Sequence, residues 1–202
     1  NERIVERDIV FVVDTSGSMA GEKIEQARNA LKHCVANLND GDRFNIVRFS
    51  SDVYPWKDGL VPVKDLREAA KSWIDRFQAA GSTDIMGALR EALRYPKDPA
   101  RPFVIVFMTD GKPTIGETIE SKEILSRLAK ACTDGVRIFT WGVGYDVDTQ
   151  LLDGIAESSR GVSEYVRPEE DIAVKISSFW GKAGKPILSD LKIEVVEGPR
   201  LR

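Results

Sequence analysis

The chain has 202 residues, of which 42% are hydrophobic and 30% are charged, so it is long enough to bury one substantial core. Its formal net charge of −3 argues against a dedicated nucleic-acid-binding protein, which would carry a basic stripe. No stretch approaches the ~18 apolar residues of a membrane-spanning helix, so we expect no insertion of this chain into a bilayer. Because the chain begins at Asn1 rather than at a methionine, we expect it to be part of a longer protein whose targeting segment is absent here.

The first half of the chain opens with an apolar run, Ile9 to Val13, of β-branched and aromatic residues without polar alternation. Such a run is typical of a strand that is buried on both faces of a sheet. Turn residues from Asn39 to Asp42 separate the first helix from the second strand, and Pro55 and Pro62 confine the next run to a sheet edge. The elements predicted for this half are, in order, strand Ile9–Asp14, helix Gly21–Leu38, strand Arg43–Phe49, an edge hairpin strand within Val53–Val63, helix Val63–Phe77 and helix Ile85–Arg94.

The second half contains two more apolar strands, each followed by a helical pattern. Strands that alternate with helices of about 10–15 residues indicate an α/β fold. We therefore predict a Rossmann-like, doubly wound and mostly parallel central sheet with one antiparallel edge strand and helices on both faces. The predicted elements are strand Phe103–Met108, helix Ile119–Cys132, strand Val136–Val143, helix Asp146–Glu157, strand Val162–Val166, helix Glu169–Trp180, linker Lys182–Asp190 and strand Leu191–Val196.

The pattern predicts one α/β domain over residues 8–181, preceded by a polar lead-in segment at residues 1–7. Residues 182–202 form a predicted linker and strand that lead into, or pack with, a neighbouring domain of a longer protein. The cysteines, Cys34 and Cys132, lie in helices that we expect to cover opposite faces of the sheet, too far apart for a disulfide. We expect both to be buried thiols, and we expect the fragment to be monomeric.

A small, oxygen-bearing motif follows the first buried strand: Asp14, Ser16 and Ser18, with Gly17 allowing a tight bend. In open α/β sheets, ligands bind in the crevice at the carboxyl ends of the strands. Hard divalent cations such as Mg2+ prefer oxygen ligands, so this motif could hold one. The alternative is that these side chains only cap the following helix, since Asp and Ser are favoured N-caps.

Two distant segments offer further oxygens: Thr83 in a small polar loop, and Asp110 after the strand Phe103–Met108. A motif D-x-S-x-S, then a threonine in a glycine-containing loop, then an aspartate after a buried strand resembles the metal-ion-dependent adhesion site (MIDAS) of the von Willebrand factor A domain. The matching positions are Asp14, Ser16, Ser18, Thr83 and Asp110. The segments 142–148 and 185–188 also resemble the inter-alpha-trypsin inhibitor heavy-chain branch of that family.

The resemblance implies a non-enzymatic adhesion or interaction module that uses a bound Mg2+, with Mn2+ or Ca2+ as alternatives, to recognise a protein ligand. Direct ligation by the hydroxyls of Ser16, Ser18 and Thr83 would leave the inner coordination sphere neutral, while Asp14 and Asp110 act through water. Such a cation keeps its attraction for a carboxylate, so the expected partner presents an Asp or Glu side chain. The family setting implies an extracellular, cell-surface or periplasmic location.

Enzymatic interpretations find less support in the residues. Haloacid-dehalogenase-like phosphatases also place an aspartate and Mg2+ after the first strand, but their D-x-D motif has Ser16 here, which removes the general acid. The only histidine, His33, is expected at the surface or at the end of a helix, remote from the rim. Gly142 and Gly144 could open a dinucleotide-binding motif, but its third glycine position holds Val147.

Three further points remain open from the sequence. An intracellular scaffold in an ATPase-linked complex would use the same kind of domain without adhesion. Asp84 is predicted to cap the helix that follows it, and a role near the ion is the alternative. Ligand binding could also shift the loop after Asp110 and the terminal helix Glu169–Trp180, because that helix is terminal and tethered by a linker.

Overall fold

The computed structural model describes residues 5–132 and 135–167, together with Glu170 and Lys175. Strands and helices alternate along the chain, as the hydrophobic pattern predicts. The strands are β1 Asp8–Asp14, β2 Arg43–Phe49, β3 Val53–Pro55, β4 Val61–Pro62, β5 Phe103–Thr109, β6 Val136–Val143 and β7 Ser163–Val166. The helices are α1 Glu22–Ala36, α2 Arg67–Ile74, α3 Ile85–Leu93, α4 Ser121–Ala131 and α5 Thr149–Glu157, with a 3-10 helix at Gly17–Met19.

The strands form a 7-stranded sheet in the order β3-β2-β1-β5-β6-β7, with β4 also paired to β2. Strand β1 lies between β2 and β5 and is parallel to both. The β5–β6 and β6–β7 pairs are parallel too, whereas β3 and β4 run antiparallel to β2 at the edge. The predicted α/β fold class, with its mostly parallel sheet and antiparallel edge, is confirmed.

Each face of the sheet carries its own hydrophobic core, which explains why β1 is apolar at every interior position. Ile9, Phe11 and Val13 point to one face and pack with residues of α1 and α2. Val10 and Val12 point to the other face, where α3, α4 and α5 pack. Because successive side chains of a strand alternate between faces, a strand covered on both sides has no position for a polar residue.

The cysteines lie on opposite faces, as predicted, since Cys34 belongs to one core and Cys132 packs against the other. Cys34 is buried, but Cys132 is only half-buried, so the prediction of a buried thiol there was wrong. Cys132 directly follows the last residue of α4 and is the C-cap of that helix.

The edge segment 53–63 differs from the single edge strand that was predicted. It is divided into β3 and β4, which pair with opposite ends of β2, and the buried side chain of Asn45 donates to the carbonyl of Lys57 between them at 2.7 Å. The amide of Val63 still bonds to the carbonyl of Asp42 at 3.0 Å, so the chain remains attached to the sheet edge there. Helix α2 consequently begins at Arg67 and not at Val63.

The helix predicted over Glu169–Trp180 falls outside the described residues except for the isolated Glu170 and Lys175, as do the linker Lys182–Asp190 and the strand Leu191–Val196. In the part of the chain that the structure describes, no helix has the length and apolar character needed to cross a membrane.

Candidate metal site at the carboxyl edge of the sheet

The carboxyl ends of β1 and β5 bring the predicted site residues to one rim. The two strands are parallel neighbours, with Val13 opposite Met108, so Asp14 and Asp110 emerge at the same edge of the sheet. Both carboxylates are buried, with relative exposures of 0% for Asp14 and 1% for Asp110. Buried carboxylates require partners, because burial without a compensating charge or hydrogen bond is costly.

Asp14 is held by two donors, one from the loop after β1 and one from the end of β5. Its Oδ1 accepts from the backbone amide of Ser16 at 2.7 Å, and its Oδ2 accepts from the hydroxyl of Thr109 at 2.5 Å. The hydroxyl of Thr109 also accepts from the amide of Gly111 at 3.2 Å. These contacts tie the loop after β1 to the last residue of β5.

The serine hydroxyls form a short chain of oxygens that ends on the second carboxylate. The Ser16 and Ser18 Oγ atoms are 3.0 Å apart, and Ser18 Oγ donates to Asp110 Oδ1 at 2.8 Å. In an octahedral Mg2+ site with bonds of about 2.0–2.1 Å, neighbouring ligand oxygens lie about 3 Å apart. The spacing of the two serine oxygens therefore fits two adjacent corners of such an octahedron.

The loop that carries Thr83 is fixed against the motif by backbone hydrogen bonds. Gly17 donates its amide to the carbonyl of Gly81 at 2.9 Å, and the amide of Ala80 donates to the carbonyl of Thr15 at 2.8 Å. The amide of Thr83 donates to the hydroxyl of Thr114 at 2.9 Å. As a result Thr83, Ser18 and Asp110 line a single open cleft of about 500 Å³.

Helix caps account for two other aspartates near the rim. Asp84 is the N-cap of α3 and accepts from the amide of Gly87 at 2.8 Å, as the sequence predicts. Asp148 caps α5 in the same way, accepting from the amide of Leu151 at 3.0 Å. In contrast, the serines after β1 make no side-chain cap to the 3-10 helix or to α1, so the capping alternative for that motif is not what the structure adopts.

The two site carboxylates differ in their electrostatic surroundings. Burial raises the pKa of Asp14 to about 6, an effect that the hydrogen bonds from Thr109 and Ser16 oppose and that the charge of Asp110 reinforces. Asp110 has a cation beside it, because Lys23 Nζ lies 2.5 Å from its Oδ2. The site therefore contains two carboxylates and one ammonium group.

Two residues of this site were missed by the sequence reasoning. Lys23 lies in the first turn of an amphipathic helix, where a lysine is normally solvent-exposed, so its position gave no signal. Thr109 was given no role in the site, although it is the last residue of β5 and its small hydroxyl next to the aspartate could have suggested a donor from the second strand.

The donor set consists of oxygens, which suits a hard divalent cation. Within the described ranges, no group of three or more His, Cys, Asp or Glu side chains is arranged to hold a metal ion. The candidate site offers hydroxyl and carboxylate oxygens instead, which are ligands for Mg2+, Mn2+ or Ca2+ rather than for soft metals. The five predicted residues thus meet at one rim, and metal ligation by them stays a prediction.

Comparison of the sequence with curated proteins finds inter-alpha-trypsin inhibitor heavy chains. The chain is 29% identical to heavy chain H1 of Mesocricetus auratus over 197 residues, covering 93% of this chain and 21% of that protein. It is 31% identical to heavy chain H4 of Homo sapiens over 199 residues, with coverage of 93% and 21%. The chain therefore spans about a fifth of the length of these relatives.

Solved structures share the fold. A von Willebrand factor type A protein from Catenulispora acidiphila superposes with a TM-score of 0.76 at 26% identity, covering 90% of this chain and 42% of that one. Proximal thread matrix protein 1 from the mussel byssus, described with a zinc-occupied MIDAS motif, superposes with a TM-score of 0.67 at 24% identity, with coverage of 87% and 46%. Finally, the sequence profile of the von Willebrand factor type A domain matches residues 7–165. That match spans most of the chain, from before β1 into β7, and it shows that the chain belongs to the von Willebrand factor type A domain family.

Proposed function

We propose that this chain is a divalent-metal-dependent protein-binding module that recognises a carboxylate of its protein ligand. The observation that supports this most is the convergence of Ser16, Ser18 and Thr83 with two buried carboxylates at one open rim, with the serine oxygens at octahedral spacing. Of the five residues only Ser18 is exposed, yet Ser18, Thr83 and Asp110 line an open cleft, which side chains that only stabilise a loop do not require.

Each residue has a defined task in this proposal. The hydroxyls of Ser16, Ser18 and Thr83 bind the cation directly, while Asp14 and Asp110 hold it through water. The cation, Mg2+ in the first instance with Mn2+ or Ca2+ as alternatives, supplies an open coordination position for a carboxylate. Zinc occupies the MIDAS motif of one structural neighbour, so this fold can carry a divalent metal at such a motif.

The partner is proposed to be a protein that presents an Asp or Glu side chain at the cleft. Lys112 is exposed and lines the same cleft as Thr83, which adds positive charge for an acidic ligand. The similarity to inter-alpha-trypsin inhibitor heavy chains supports an extracellular, cell-surface or periplasmic interaction module that is not an enzyme. A phosphatase has no comparable support, because Ser16 stands where its general acid would be. A histidine-dependent hydrolase has none either, because His33 lies in the last turn of α1, away from the rim. An intracellular scaffold would use the same site and differs only in its compartment.

The first experiment is a calorimetric titration of metal-stripped protein with Mg2+, Mn2+ and Ca2+, with and without millimolar acetate. Thr83→Val removes one proposed ligand oxygen at nearly constant volume and should lower the Mg2+ affinity at least tenfold. Ser82→Ala, in the same loop, is the matched control and should bind as the unmodified protein does.

Ligand recognition is tested with a pair of short peptides that differ only in one Asp or Asn. We expect Mg2+-dependent binding of the Asp peptide, loss of that binding with chelator or in Thr83→Val, and no binding of the Asn peptide. Failure of all three metals to bind, with acetate or the Asp peptide present, would overturn the proposal.

A further inference from the structure

Lys23 reaches into the proposed metal site from α1. Its Nζ lies 2.5 Å from Oδ2 of Asp110, while Oδ1 of the same carboxylate accepts from Ser18 at 2.8 Å. The Asp110 side chain is 0% exposed and that of Lys23 is 25% exposed, so this ion pair is largely shielded from water. Shielded pairs are screened by salt much less than the exposed pairs on the surface.

The side chain of Lys23 passes close to the backbone of Gly144. Gly144, just after β6, has a φ of +98°, and a Cβ at this position would lie 2.9 Å from Lys23 Cε. A glycine therefore serves two needs here, since it adopts the left-handed backbone conformation and leaves room for the lysine stem. The lysine stem thus passes over Gly144, and its ammonium group pairs with Asp110.

We propose that Lys23 is an internal counter-ion of the metal site, which stabilises the metal-free site and lowers its affinity for divalent cations. This inference rests on the proposed function, because it concerns how the same site exchanges its cation. In the metal-free protein, the ammonium group is the cation beside the buried Asp110 carboxylate. When a divalent cation enters, both positive charges share that carboxylate and repel each other.

The charges of the site give the direction of the effect. With both carboxylates ionised, the site has a net charge of −1 when the lysine is present and −2 without it. Electrostatic attraction for a divalent cation is weaker in the first case, and the difference is large because the groups are shielded from water. The metal-loaded site then keeps one positive charge, which favours the capture of a carboxylate ligand. Lys23 thus lowers the affinity of the site for the metal and raises the affinity of the metal-loaded site for the acidic partner.

The test compares Lys23→Met with the unmodified protein. Methionine keeps an unbranched apolar stem over Gly144 and removes the ammonium group. We expect Mg2+ to bind Lys23→Met about tenfold more tightly in calorimetry. We also expect the metal-free variant to melt roughly 5 °C lower, because Asp110 loses its cation, and saturating Mg2+ to raise its melting temperature more than that of the unmodified protein.

Lys32→Met is the matched control, because Lys32 is on the same helix and pairs with Asp75 at 2.8 Å, away from the cleft. It should leave the Mg2+ affinity unchanged. Lys23→Gln, which keeps a donor for Asp110 without the charge, serves if Lys23→Met does not fold and should show the same tightening.

Equal or weaker Mg2+ binding in the Lys23 variants would overturn this inference and leave the proposed function intact. Absence of metal binding in every protein, including the unmodified one with acetate present, would overturn the proposed function and this inference with it.

Discussion

Asp14 has a charged form that burial disfavours and hydrogen bonds favour. It is fully buried at the end of the central strand, and burial raises its pKa to about 6, yet two good donors hold its oxygens in place. A carboxylate that is positioned in advance but poorly solvated is a costly feature in a metal-free protein. It becomes favourable once a cation is nearby, because the cation favours the charged form.

At the residue scale, we predict that Asp14→Asn stabilises the metal-stripped protein at neutral pH. The folded pKa of about 6 lies above the ordinary value of 3.8, so the carboxylate costs stability above pH 6 and the cost disappears as pH falls towards 3.8. The asparagine can accept from Ser16 and donate to Thr109, so its gain at pH 7.5 should approach roughly 3 kcal/mol. Urea unfolding of both proteins between pH 7.5 and pH 4 measures this difference.

The stability gap between the two proteins should narrow steadily below pH 6. A gap that stays constant with pH would show that Asp14 is not the titrating group. With saturating Mg2+ at pH 7.5 the order should reverse, because the asparagine variant loses the stabilisation that bound metal provides.

At the element scale, the parts of the fold that the sequence predicts well are those decided locally. β1 and β5 were predicted because strands covered on two faces must be apolar throughout. The 3-10 helix Gly17–Met19 was not predicted, because its position depends on the distant carbonyl of Gly81. The division of the edge into β3 and β4 likewise depends on Asn45 and the pairing along β2, which no local pattern encodes.

The same distinction holds within the candidate site. Asp14, Ser16 and Ser18 form a compact motif, and Thr83 and Asp110 could be added only because the order of segments resembled a known family. Lys23 could not be found in this way, since its role depends on a three-dimensional path over Gly144. Side chains that make contacts between separate elements therefore cannot be identified from a single sequence.

Variants of Asp84, at the start of helix α3, distinguish a role in capping the helix from a role in metal binding. Asp84 caps this helix, and Asn is an equally good N-cap, so Asp84→Asn should leave both stability and Mg2+ affinity unchanged. Asp84→Ala removes the cap and should cost about 1 kcal/mol in urea unfolding. A loss of Mg2+ affinity in Asp84→Asn would contradict this assignment and give the carboxylate a role near the ion.

At the scale of the whole molecule, strand β1 has a buried carboxylate at each end, one at the candidate metal site and one in a cluster with arginines. Asp14 ends β1 at the cleft, and Asp8 begins it at the opposite edge of the sheet, where it is buried. Asp8 receives Nε and Nη2 of Arg43 at 2.8 and 2.6 Å, and Nε of Arg101 at 2.8 Å. These arginines come from β2 and from the loop before β5, so the cluster closes the edge remote from the site.

This separation predicts that stability and metal binding can be changed independently. Asp8→Asn removes the buried charge that the two arginines of that edge share, leaving them only the more exposed carboxylates of Asp98 and Glu6 as charged partners. It should cost about 2 kcal/mol in urea unfolding, with unchanged Mg2+ affinity. Thr83→Val should do the reverse, lowering the affinity with little loss of stability. Because the two positions lie at opposite edges of the sheet, the effects should add in the double variant, measured by urea unfolding and calorimetry on all three proteins. A double variant that binds Mg2+ more weakly than Thr83→Val would contradict this independence. It would show that the Asp8 cluster is coupled to the metal site through β1.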